Sequence, residues 1–197
     1  MKQRLVGMFA LIAMLPSAAA CGSSGNKPAA STPLAQPRAT HAVPTTQNFV
    51  STRYDFRVAL TSDWSEADAQ VDWDGKMLQG ADSPAFANFT DPGTGRDLVA
   101  AAAPLAKGTH LAQWRAAMVR AAPPVCSDSS STRTTSLGGE PALAWTSTCS
   151  DGYDVIKLAA LHGDRGYMIF LPSMAANDDA ADRSVFESIR RSFRFTR

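Results

Sequence analysis

Apolar residues fall at every second position through Tyr54, Phe56, Val58 and Leu60, and that period predicts a strand with one buried face. Thr61-Ser62-Asp63 predicts a turn, and Trp64 leads from it toward a second strand near Ala67 to Val71. Asp74-Gly75 has the composition of a hairpin turn between Trp73 and Met77. Phe86 and Phe89 border another short strand, and Asp91-Pro92-Gly93-Thr94-Gly95 predicts a loop. The unbroken apolar run from Leu98 to Ala103 predicts a buried strand.

The period then lengthens. From Thr109, the residues Leu111, Trp114, Ala117, Met118 and Ala121 share one face at helical spacing, with Thr109 placed to cap the start and Pro123-Pro124 to stop the helix. Thr132 to Leu137 predicts a strand ending at Gly138-Gly139. Leu143, Trp145, Ser147 and Cys149 share one side of the next. Asp151-Gly152 and Gly163-Asp164-Arg165-Gly166 are turns that fold Tyr153–Leu161 and Tyr167–Leu171 back into a meander. A second helix is predicted over Asp178–Ser192, with Val185, Ile189 and Ser192 on one face and Arg190-Arg191 suited to its C-terminal dipole. Phe193-Arg194-Phe195 alternates again and predicts a closing strand. Runs of strands with two segregated helices indicate an α+β domain, an antiparallel sheet with two helices packed on it.

Residues 22–48 carry no such pattern. They are Gly, Ser, Pro, Thr, Ala and Asn with few large apolar groups, too little apolar surface to offset ordering, and predict a disordered tether. Before them, Lys2 and Arg4 precede an apolar run from Leu5 to Leu15, then Pro16 and the small residues Ser17 to Ala20. That is the layout of an export signal, and the run is shorter than the roughly 20 residues a spanning helix needs. Cys21-Gly22-Ser23-Ser24-Gly25 follows, as at the cleavage site of a bacterial lipoprotein. Ala18-Ala19-Ala20 also fits an ordinary secretory site, and Ala18 stands where a lipobox usually has leucine. The expected organisation is a lipoprotein signal peptide at 1–20, a lipidated tether at 21–48 and one α+β domain at 49–197. Two or three acyl chains on Cys21 would anchor the chain durably, where a single chain binds only marginally.

Charge narrows the partners. The chain carries 19 basic and 18 acidic residues, and losing Lys2 and Arg4 leaves 17 against 18, a net of −1. No basic excess points to nucleic acid, and no polybasic run points to electrostatic lipid binding. The chain has three cysteines, of which Cys21 is assigned to lipid. Cys126 and Cys149 remain as an even pair in an exported protein, for which a disulfide is expected. The rival, a metal site, lacks CxxC spacing, and His41, His110 and His162 are scattered.

Catalytic motifs are missing: there is no G-x-S-x-G elbow, Walker loop or GxGxxG. Asp178, Asp179 and Asp182 read as charges favouring a helix N-terminus, and Gly93-Thr94-Gly95-Arg96 as a plain loop. Trp64, Trp114 and Trp145, with Phe86 and Phe89, are expected in the core. Trp73 sits in the polar sequence Asp72-Trp73-Asp74-Gly75, where an exposed indole would suggest a partner contact.

Four stretches together resemble the PsbP-like fold as it occurs in small actinobacterial lipoproteins of the LpqN kind. They are the Tyr54-Asp55-Phe56 strand running to Trp64, the mid-chain amphipathic helix, Gly138-Gly139-Glu140-Pro141-Ala142 leading into the meander, and Phe186-Glu187-Ser188-Ile189-Arg190-Arg191-Ser192-Phe193 near the end. The resemblance spans roughly residues 49–196. It implies a non-catalytic adaptor or binding module with no cofactor and no metal, lipid-anchored at the extracytoplasmic face of the cell membrane and serving an envelope protein partner. The alternative is a carrier or sensor of a small apolar or lipid ligand, held between sheet and helices.

Overall fold

The structure, a computed structural model, describes residues 45–76, 83–150, 152–173 and 179–197. The signal peptide, Cys21 and the tether as far as residue 44 lie outside the described residues. Thirteen elements follow in chain order: β1 (Thr46–Ser51), β2 (Phe56–Thr61), β3 (Ser65–Ala67), β4 (Ala87–Asp91), β5 (Arg96–Pro104), α1 (Leu111–Ala121), β6 (Cys126–Asp128), β7 (Arg133–Leu137), β8 (Glu140–Cys149), β9 (Asp154–His162), β10 (Arg165–Ser173), α2 (Asp179–Ser192) and β11 (Arg194–Phe195). They form two antiparallel sheets. The small one runs β1-β2-β11, and the large one β3-β4-β5-β10-β9-β8-β6 with β7 also paired to β8.

The large sheet is covered on both faces. Because side chains alternate along a strand, Met168 and Phe170 of β10 face one way and Tyr167 faces the other. Phe170 meets Phe86, which meets Trp73, which meets Trp114 of α1. Tyr167 meets Phe195 and donates its hydroxyl to the Tyr54 carbonyl, so this face carries the small sheet. Helix α2 packs on the same side, against β2, β10 and β7. The small residues of β5, Ala100 to Ala103, are all buried and leave room for these aromatic rings. Gly166 on β10 is required by one such ring, since a Cβ there would lie 2.5 Å from the Trp114 indole.

Several local expectations shift. The tether boundary of residue 48 is too late. Thr46–Asn48 already belong to β1, because the ladder to β2 and the burial of Phe49 hold a segment that is polar by composition. The strand expected near Ala67 to Val71 is instead the short β3, and among the described residues no strand runs into Asp74-Gly75; Met77, on the far side of the expected hairpin, lies outside them. Thr109 does not cap α1: its hydroxyl bonds the Ala106 carbonyl, and His110 opens the helix with its N–H held by the Gln113 side chain at 2.9 Å.

Cys126 and Cys149 form a disulfide and lie directly opposite each other on β6 and β8. The bond therefore joins two paired strands. Closing a loop of this length stabilises by about 3 kcal/mol on the chain-entropy account. Replacing both cysteines with alanine is expected to lower the thermal midpoint by roughly 6–12 °C. Calorimetry with and without reductant checks it: reductant should shift the native protein and leave the double variant unmoved.

Candidate functional site

Helix α2 presents two stripes. Phe186 and Ile189 are buried against the sheet. Arg183, Glu187 and Arg191 recur every four residues beside that stripe and line an open groove of about 650 Å³ between α2 and strands β7, β8 and β9. Thr146 of β8 and Ile156 of β9 are directly paired and, with Phe186, form its floor. Arg133 at the start of β7 stands across from the helix.

Three ion pairs hold α2 in place. Near its start, α2 carries Asp182, only 2% exposed, whose carboxylate accepts from Arg96 Nε at 2.5 Å. Arg96, expected in a plain loop, is the first residue of β5, and with Asp182 in the first turn of α2 it ties the helix to the head of that strand. Further along, Glu187 accepts from Arg133 at 2.8 Å on one oxygen and from Arg190 at 2.9 and 2.7 Å on the other. Arg190 also donates to the Ser136 carbonyl at 2.8 Å, holding the helix to β7. Burial works against the charge on Glu187, yet the hydrogen bonds from Arg190 and Arg133 outweigh it and hold the carboxyl below its usual range.

Next to the groove lies a buried polar cluster. Oδ1 of Asp128 on β6 accepts from Trp145 Nε1 at 2.6 Å, Ser147 Oγ at 2.5 Å and Lys157 Nζ at 3.1 Å. Lys157 is 3% exposed. Burial would raise the Asp128 carboxyl; the Ser147, Trp145 and Lys157 contacts overcome that and lower it. The Arg115 guanidinium of α1 lies over the Trp145 ring at 5.3 Å and donates to the Ser129 carbonyl. The cluster thus fixes β6, β8, β9 and α1 around one carboxylate.

Trp73 corrects an expectation. It is 1% exposed, with its indole N–H donated to the Lys76 carbonyl at 2.9 Å. The polar neighbours Asp72 and Asp74 make exposed pairs with Arg53 and Lys76, and the ring turns inward. It is not a surface contact. Trp64, Trp114, Trp145, Phe86 and Phe89 are buried as well.

His162 closes β9 onto the last strand. Its ring stacks on Phe195 at 4.0 Å, with Nδ1 2.9 Å from Glu140 Oε1 and Nε2 2.5 Å from the Arg197 main-chain oxygen. Burial opposes its charge, but these two acceptors prevail and raise its proton affinity. Because the folded value lies above the unfolded one of about 6.5, the stabilisation is complete below that pH and fades as pH rises through the folded value. Thermal melts of the native protein and His162→Phe are therefore expected to differ most near about pH 5.5 and to converge by about pH 8. Equal differences at both values would refute the assignment.

Among the described residues, no group of three or more His, Cys, Asp or Glu side chains gathers as a metal site. No described helix is long and apolar enough to cross a membrane. The groove escaped sequence reasoning, although Arg183, Glu187 and Arg191 at four-residue spacing were visible in it. The signal that would have found them is a charged stripe beside the apolar one, with Arg133 brought opposite only by the β7–β8 pairing.

No protein-family model matches the chain, and no curated protein matches it. Solved structures do. PsbP of the cyanobacterium Synechocystis (CyanoP) superposes with a TM-score of 0.54 at 13% identity, over 82% of this chain and 98% of that one. The Ran-binding protein Mog1p of Saccharomyces cerevisiae gives 0.48 at 7% identity, over 78% and 97% of the two chains. LpqN of Mycobacterium tuberculosis, involved in cell envelope biogenesis, gives 0.46 at 12% identity, over 80% and 88%. The last two likenesses are too slight to build on, and the first concerns architecture alone. The domain has the PsbP-like fold, an antiparallel sheet with two helices packed on it.

Proposed function

We propose that this protein is a non-enzymatic binding module, lipid-anchored through Cys21 at the extracytoplasmic face of the cell membrane, and that it engages an envelope protein through the groove beside α2. The observation that carries the binding role is that groove: an open trough with a small apolar floor and a charged rim, cut into an otherwise contiguous core. Among the described residues, the exposed large apolar side chains do not offer an equivalent surface, since Val50, Val71 and Val125 sit in separate segments. The alternative of an apolar-ligand carrier calls for an enclosed apolar cavity. This groove is open and rimmed by arginines, which favours a protein partner. The leader and Cys21 support the anchor, and the Cys126–Cys149 bond suits an oxidising compartment.

Two measurements test this. Metabolic labelling with an alkynyl palmitate should mark the native protein and leave Cys21→Ala unlabelled and released from the membrane. A photo-cross-linker at Thr146 or Arg191 should trap one discrete partner in the host envelope, while one at Val71 should not. A lipid that co-purifies with the domain in native mass spectrometry would overturn the partner-binding role.

A further inference from the structure

We infer that the groove beside α2 recognises a carboxylate-rich, extended segment of the partner protein, with an apolar side chain seated on Ile156. This rests on the binding role proposed above and names the partner chemistry of that site.

The charge of the groove runs against that of the domain. Residues 45–197 hold 15 basic and 18 acidic residues, a net of −3, because Lys2, Arg4, Lys27 and Arg38 all precede them. Yet the groove is lined by Arg133, Glu187 and Arg191, and Arg190 shares that glutamate from beside it. Arginine forks match carboxylates in geometry as well as charge, and the groove already demonstrates the match: Glu187 is held by both Arg133 and Arg190. Arg191, exposed on the rim, has no ion pair among the described residues. One internal carboxylate shared by two guanidiniums leaves the site cationic, and the flanking Thr146, Ile156 and Phe186 give it an apolar floor that a simple anion site would not need.

Charge also selects among occupants. The segment 22–44 contains Lys27, Arg38 and His41 and no acidic residue, so the chain's own tether offers none of the carboxylates this site selects. A flat anionic membrane can touch the rim but cannot place a side chain on Ile156 at the floor. A second copy could offer its acidic stretch, Asp63 to Asp74, and is the rival to be separated by experiment.

The probe is a fluorescent peptide alternating glutamate with phenylalanine, with its glutamine counterpart as control, titrated by anisotropy against the mature protein and its variants. Binding is expected for the glutamate peptide only, weakening with salt as exposed charges are screened. Arg191→Gln and Arg133→Gln should each weaken it about tenfold, or roughly 1.4 kcal/mol. Glu187→Gln, which removes the competing carboxylate, should strengthen it several-fold. That opposite sign is not produced by mere loss of structure, and thermal melts of each variant confirm folding. Equal binding of both peptides, or weaker binding by Glu187→Gln with an unchanged melt, overturns the inference. So does arginine-dependent binding to phosphatidylglycerol vesicles without peptide binding, or arginine-dependent self-association in sedimentation. If the cross-linker traps a partner through the groove but the glutamate peptide does not bind, the carboxylate preference fails and the binding module stands. If neither occurs, both fail.

Discussion

Asp128→Ala is expected to destabilise the domain by about 3–5 kcal/mol, the cost of leaving a buried charge without its partner. Lys157 and Asp128 are both nearly inaccessible, with side chains 4% and 6% exposed. Removing the carboxylate strands the Lys157 ammonium and also takes the acceptor from the Trp145 indole and the Ser147 hydroxyl. Urea unfolding of the variant measures the loss. Adding Lys157→Met to Asp128→Ala should recover most of it, since a buried pair replaced by apolar groups of similar volume is often neutral. A single variant as stable as the native protein would show that the cluster does not hold the strands together. The same geometry sets an acid limit. The Asp128 carboxyl is lowered on folding, so its contribution is present above its unfolded value of about 3.9 and is lost as pH falls through the folded one.

Trp73→Ala is expected to cost about 3–5 kcal/mol as well, by cavity formation in the core. Trp73 joins two aromatic groups, meeting Phe86 edge-on at 6.1 Å and Trp114 at 6.0 Å. Beside it, the Tyr54 hydroxyl lies 3.3 Å from the Val71 carbonyl, in the segment that carries the indole, and donates to the Ala85 carbonyl at 2.7 Å, and burial raises that phenol to about 12. Truncation would empty the layer between α1 and the large sheet. Chemical denaturation distinguishes this from a surface role, in which Trp73→Ala would retain its midpoint.

Trp73 also shows where sequence reasoning ran out. Strands with strong alternation were legible, from Phe56 through Leu60 and from Ala142 through Leu171, because each buries one face against a layer present in the sequence as its own periodic element. The α2 helix and its apolar stripe were legible for the same reason. The polar dipeptides around Trp73 suggested exposure because composition reports the neighbours, not the direction of one ring. β1 read as tether because its order comes from pairing with β2, a non-local contact that Thr46, Gln47 and Asn48 do not announce. The groove and the Asp128 cluster combine residues from three or more strands and a helix, and spacing along the chain cannot assemble those. The disulfide was legible from parity, but its position opposite a paired residue was not.

The outer side of β8 is covered in relay, by β7 along Glu140 to Ala144 and by β6 along Ser147 to Cys149. β6 is three residues long, and a strand that short contributes little pairing of its own. Without the covalent link it would peel away and bare the backbone donors and acceptors beside Trp145, a template for another chain to add to. A copy whose thiols are kept reduced would therefore be a seed for edge-to-edge aggregation. Oxidation and solubility are coupled in this domain through the coverage of one strand edge.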